Sequence, residues 1–240
     1  MSSTRRDQPV RLWFFRHGQM ESHLGDLPLT ELGRGQAEAA GERLASEVAP
    51  GARVEFMSAP PVRARQTAEG IRRGLERTVG RDDGVALGTP RVEQAIRNGD
   101  LFVAGHRVEM VKSAEAVADQ LPAGLLTLEE IERNRFFSAF WSAPDPMGYW
   151  LNDPDPPGER AADVARRFDE YSRSLCDVAT RSPRLYVCAT HSGALRALVR
   201  HRMGLDDPGE PEYAEAVELD FGVDGVATWR FRDAVVVKPA

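Results

Sequence analysis

Val10-Arg11-Leu12-Trp13-Phe14-Phe15-Arg16-His17-Gly18 is the stretch on which the fold turns. Val10 to Phe15 is apolar apart from Arg11, which suits a short buried strand, and Gly18 gives the backbone freedom to turn where the apolar run stops. A late stretch is built alike: Leu185 to Ala189 reads as a buried strand and ends in Thr190-His191-Ser192-Gly193. Each strand therefore delivers a histidine to a turn at its carboxyl end.

Working outward from the first strand, Thr30 stands as the N-cap of a helix carrying Leu32, Gln36, Ala40, Leu44 and Val48 at near-helical spacing, ended by Pro50-Gly51. Val54 to Met57 is a second strand, followed after Ser58-Ala59-Pro60-Pro61 by an arginine-rich helix to about Arg77. Val85 to Val92 holds a third strand, interrupted by Gly88 and Pro90, and leads to Glu93. Ala161, Val164, Ala165, Phe168, Tyr171, Leu175 and Val178 recur at intervals of three and four, the mark of an amphipathic helix. A helix from Ala194 to about Met203 follows the late strand, and Val226 to Phe231 alternates as a closing strand. Strands alternating with helices predict an α/β fold with a mostly parallel central sheet and helices on both faces. No linker divides the chain, so residues 1–240 are read as a single domain. Residues 100–158, with Phe136, Phe137, Phe140, Trp141, Tyr149 and Trp150, are read as an insertion or lid.

The chain has 240 residues, 42% of them apolar and 28% charged, enough for one sizeable core. Its formal charge of −6 argues against broad attraction to nucleic acid or anionic lipid, so phosphate chemistry would need a local cationic pocket. All but two of the 31 basic residues are arginine, the exceptions being Lys112 and Lys238. Cys176 and Cys188 have no metal-type spacing, and a reduced, cytoplasmic protein is the expectation. Arg5-Arg6 lacks the apolar run of an export signal, and no apolar stretch reaches the roughly 18 residues of a membrane span.

In an open parallel sheet, ligands bind beyond the carboxyl ends of the strands. Arg16-His17, Ser58 with Arg63, Glu93 and His191 all follow predicted strands, so adjacent strands would gather two imidazoles, two guanidiniums and one carboxyl. That inventory suits a phosphate dianion: guanidinium forks match its oxygens, and a neutral imidazole attacks phosphorus near neutral pH without a separate base.

Four motifs in this order, Arg16-His17-Gly18, Leu29 to Ala37, Arg63-Ala64-Arg65-Gln66-Thr67-Ala68 and His191-Ser192-Gly193, resemble the histidine phosphatase superfamily, the phosphoglycerate mutase-like group. The resemblance runs from about residue 10 to 204 and includes Gly158-Glu159. It implies that His17 is the nucleophile that becomes phosphohistidine, that Arg16, Arg63 and a protonated His191 hold the phosphoryl oxygens, and that Glu93 is the proton donor. The family's glycine stands four residues beyond its acid, whereas Gly99 is six beyond Glu93, so Glu109 is the reserve. Met20 and His23 replace the usual Ser or Thr and Asn after the nucleophile, with His23 able to donate to phosphate, and Arg160 replaces Ser after Glu159. The shortened stretch from His17 to Leu29 favours a phosphatase over a mutase.

The resemblance thus implies a metal-independent hydrolase of a small phosphorylated metabolite, with no cofactor and a homodimer left open. A mutase, a phospho-ligand binding protein and a specialised biosynthetic member of the fold are the alternatives. Blander readings compete at particular residues: Arg63 and Arg65, about 200° apart on a helix, cannot both face one pocket, and the aromatic cluster suits ordinary core packing. Glu159 divides between local hydrogen bonding and substrate contact.

Overall fold

A computed structural model describes residues 10–21, 26–80, 83–176 and 183–239. Arg5-Arg6, His23 and Val178 lie outside the described residues. The fold is α/β, with a mostly parallel central sheet and helices on both faces. Strands β1 (Val10–Arg16), β2 (Arg53–Ser58) and β7 (Arg184–Thr190) form its centre, with β7 between the other two and parallel to both. The expected third strand is two short pieces, β3 (Ala86–Leu87) and β4 (Arg91–Val92), both parallel to β2. Gly88 and Pro90 fall between them; Gly88 N still donates to Val54 O at 2.8 Å, while Pro90 has no N–H to offer the ladder. On the other side, β8 (Ala216–Phe221), β9 (Val226–Phe231) and β10 (Ala234–Pro239) make an antiparallel margin beside β1. The closing strand read at Val226–Phe231 is therefore flanked by two more.

Alternation along β1 sends its side chains to two cores. Val10, Leu12 and Phe14 pack on one face, where Phe14 meets Phe168 of helix α7 (Ala161–Cys176) with ring centroids 5.3 Å apart. Phe15 packs on the other, with Leu44, Ile71 and Leu75 from helices α1 (Glu31–Leu44) and α2 (Val62–Thr78). The Thr30 cap is present, its hydroxyl accepting from Gly33 N at 3.0 Å.

Leu32, assigned above to the apolar stripe of α1, is instead 59% exposed. The buried face of α1 is Gly33, Ala37, Ala40, Gly41 and Leu44, because α1 and α2 meet backbone to backbone. A Cβ on Gly41 would stand 2.1 Å from Ile71 O, and one on Gly74 would stand 2.0 Å from Glu38 O. Close approach rather than hydropathy selects this face.

Residues 100–158 form a hairpin of β5 (Leu101–Val103) and β6 (His106–Val108) and four short helices: α3 (Ala114–Ala118), α4 (Leu128–Glu132), α5 (Arg135–Ser142) and α6 (Pro146–Asn152). Phe137, Phe140 and Trp150 are buried in the same core as α7, and the Trp150 indole donates to Glu159 O at 3.0 Å. The aromatics are core packing beneath this layer. No helix among the described residues is long and apolar enough to cross a membrane.

Candidate active site

The β1–β7 register pairs Arg16 with Thr190, so the next residue of each chain, His17 and His191, emerges at the same edge of the sheet. His17 N extends the ladder to Thr190 O at 2.9 Å. The two imidazoles lie edge to face, with centroids 5.4 Å apart and planes at 70°. On the far side of β7, β2 ends at Ser58; after Pro60-Pro61, α2 begins and presents Arg63 within its first turn. Arg16, His17, Arg63 and His191 line one cavity of about 460 Å³. Three strand ends and their register make this convergence.

The His17 Nδ1–H donates to Gly18 O at 2.8 Å, which puts the lone pair of the neutral ring on Nε2. Gly18 N donates in turn to Thr67 Oγ1 at 3.0 Å, tying the turn after His17 to α2. A Cβ at Gly18 would lie 2.4 Å from Gly33 O, so the turn requires glycine. Arg16 is buried, with Nη2 2.9 Å from Glu210 Oε1, Nη1 donating to Pro211 O, and its guanidinium 4.0 Å from the centre of the Tyr213 ring. Among the described residues, the ion-pair contacts of Arg63 are looser, 3.6 Å to Asp26 and 3.7 Å to Glu109. Arg65 is exposed, in keeping with only one of the pair facing inward.

Buried polar atoms left without hydrogen bonds gather at this cavity: Nε of Arg16, Nε of Arg63, Oδ1 of Asn98 and both ring nitrogens of His191. Such atoms are costly unless a ligand satisfies them. Burial, reinforced by Arg63, His17 and Arg16, holds the His191 pKa well below the ordinary imidazole value. The ligand-free site thus favours the neutral ring of His191, while the protonated form expected above belongs to the site with a phosphoryl group in it. A dianion beside it would reverse that balance, and its binding should draw in a proton.

The sign of the pH dependence follows. The unfolded chain protonates His191 below about pH 6.5 and the folded, ligand-free chain resists doing so, so this residue's contribution to stability falls as pH drops through that value. Sulfate, dianionic throughout, should raise the melting temperature more at pH 6 than at pH 8. An equal or smaller rise at pH 6 would contradict proton uptake by the site.

Glu93 does not join this group. Its carboxylate accepts from Arg91 Nε at 2.8 Å, Tyr171 and Cys188 are near it, and it does not line the cavity. The reason lies in the following turn, where Ile96 is buried, Ile96 O accepts from Thr190 Oγ1 at 2.6 Å, and Asn98 is the residue that reaches the cavity. Arg167 secures the turn by donating to Ala95 O, Arg97 O and Asn98 O, and Glu159 holds Arg167 at 2.9 Å. Glu159 is therefore a local buttress. Glu109, the reserve of the sequence reading, lies 3.7 Å from Arg63 and, like Glu93, is not among the residues that line the cavity. Met20 is buried and bridges to Leu29, while Arg160 pairs with Asp163.

Asn98, Met110, Lys112, Phe140, Asp145, Met147 and Glu210 also line the cavity; of these, sequence reasoning had only Phe140, as part of the aromatic cluster of the insertion or lid. The scarcity of lysine was a usable signal for Lys112 alone.

Comparison with curated protein sequences returns no match. Among solved structures, one described as mycobacterial hydrolase 1 is similar at 24% identity with a TM-score of 0.57, over 97% of this chain and 100% of that one. A mycobacterial glucosyl-3-phosphoglycerate phosphatase in complex with VO3 matches at 24% identity and TM-score 0.54, over 95% and 96% of the two chains. A putative alpha-ribazole-5'-P phosphatase from Escherichia coli matches at 19% identity and TM-score 0.53, over 92% and 95%. These likenesses establish the fold. The family model for branch 1 of the histidine phosphatase superfamily matches residues 12–86 and 124–221, passing over the segment that carries Glu93 and Glu109. With most of its length matched, and with both histidine turns inside the matched segments, this chain belongs to the histidine phosphatase superfamily.

Proposed function

We propose that the protein is a phosphatase that hydrolyses a small phosphate monoester through a phosphohistidine on His17. The observation that carries this reading is the paired His17 and His191 at the floor of a cavity with unsatisfied buried guanidinium and imidazole nitrogens. In the first step, the His17 Nε2 lone pair forms a bond to phosphorus as the bond from phosphorus to the leaving oxygen breaks, while Nδ1–H stays on Gly18 O. Arg16, Arg63 and His191 take up the charge on the equatorial oxygens. Glu109, beside Arg63, starts as the carboxylic acid, gives the leaving oxygen its proton and is left as the carboxylate. In the second step it takes a proton from water as water attacks phosphorus, the P–N bond breaks, and inorganic phosphate and neutral His17 are restored.

The leaving group lies on the side of the cavity made by residues 100–158, against Met110, Lys112, Phe140 and Met147. That segment serves as the cap over the site. The names of the similar structures, which include phosphatases acting on glucosyl-3-phosphoglycerate and on a ribazole phosphate, fit a small phosphorylated substrate here.

The test is release of phosphate from an aryl phosphate in the presence of a chelator, with rapid denaturing quench and peptide mass spectrometry. Turnover and an acid-labile phosphate on the peptide containing His17 are expected. Binding of vanadate with no turnover would instead identify a phospho-ligand binding protein, and phosphate on any other residue would remove the mechanism.

A further inference from the structure

The cavity that should receive a phosphate already holds an anion of the protein's own. Glu210 lines it, and Glu210 Oε1 sits 2.9 Å from Arg16 Nη2. The other terminal nitrogen, Nη1, is committed to Pro211 O, which leaves Nε as the arm of Arg16 with no hydrogen bond. The Nη2 edge of Arg16 is thus covered by a carboxylate before any substrate arrives. The contacts to Arg63, at 3.6 and 3.7 Å, are too long to be hydrogen bonds, so the two phosphate-binding arginines are not equally occupied.

The surroundings of this pair suit exchange rather than permanent pairing. The Glu210 side chain is 46% exposed, so it can turn into water without leaving a buried charge behind. Arg16 would not follow it, because Pro211 O and the face of Tyr213, 4.0 Å away, hold the guanidinium independently. The other cation near Glu210 is Arg196, 3.6 Å away, which keeps Asp145 and Asp207 at 2.5 Å when Glu210 leaves. Displacing the carboxylate costs little structure and uncovers the Nη2 edge of the guanidinium, which is in ion-pair contact with Glu210, for a phosphoryl oxygen.

We propose that Glu210 is a built-in competitor for the phosphate subsite: its carboxylate occupies Arg16 in the empty enzyme, yields to the phosphoryl group of the substrate, and returns to expel inorganic phosphate after hydrolysis. This rests on the phosphatase reading of the same cavity and adds a residue that sets phosphate affinity and product release. A carboxylate that merely oriented Arg16 for its ligand would act in the opposite direction, so the sign of one measurement separates the two roles.

The experiment is calorimetric titration of inorganic phosphate into wild type, Glu210→Gln and Glu210→Ala, with phosphate inhibition of aryl phosphate turnover measured alongside. Removing the competing charge should tighten phosphate binding about tenfold in both variants, with the inhibition constant falling by the same factor. Because Asp145 and Asp207 keep Arg196 paired, both variants should retain the wild-type circular dichroism spectrum. Equal or weaker phosphate binding in the folded variants would overturn the proposal and leave the phosphatase reading intact. A wild-type protein that neither binds phosphate nor hydrolyses the ester would overturn both.

Discussion

Replacing His17 with alanine is expected to abolish phosphoryl transfer, lowering kcat on an aryl phosphate by about a thousandfold or more while the protein stays folded. The His17 ring has its Nδ1–H fixed on Gly18 O, which leaves the lone pair of the neutral ring on Nε2, the atom proposed to attack phosphorus. The other imidazole of the cavity, His191, sits on a different strand end with its ring at 70° to that of His17. Arg16, Arg63 and His191 would remain, so vanadate should still bind the alanine variant and raise its melting temperature. A variant retaining a tenth or more of wild-type turnover would show that phosphorus is attacked by something else, such as water.

The second large effect separates two carboxylates. Glu109→Gln should lower kcat on an alkyl phosphate about a hundredfold, because an alkoxide leaves poorly without a proton, and much less on an ester with an acidic phenol as leaving group. Glu93→Gln should change either rate less than about threefold, since its carboxylate is held by Arg91, whereas that of Glu109 is set beside Arg63. The dependence on leaving group matters because loss of the Arg63 contact alone would slow both esters alike. If Glu93→Gln produced the selective loss and Glu109→Gln did not, the motif position would be right and the geometric assignment of the acid wrong.

Much of the fold was legible because its signals are local. Val10–Phe15 and Leu185–Ala189 are continuous apolar runs, the pattern of strands covered on both faces, and both are strands of the central sheet. The three-and-four spacing of α7 matches its buried face at Ala161, Val164, Ala165 and Phe168. Hydropathy failed on α1, where the close contact with α2 buries Gly41 and leaves Leu32 in water. It also failed to announce β8 and β10, whose places depend on the partner beside them.

What the amino-acid order determined by itself was that two histidines follow two strands and that an arginine opens a helix after a third. Strand periodicity, turn residues and helix starts are short-range properties, and each motif lies within a few residues of the element that carries it. Tertiary structure alone decided which acid meets the cations. Glu93 is adjacent to a strand end, yet the buried Ile96 and the Thr190 hydrogen bond turn the chain so that Asn98 enters the cavity. Glu109 and Glu210 reach Arg63 and Arg16 across long stretches of chain. Side-chain direction at the end of a loop is set by what packs against that loop, and those contacts arise only when remote segments fold together.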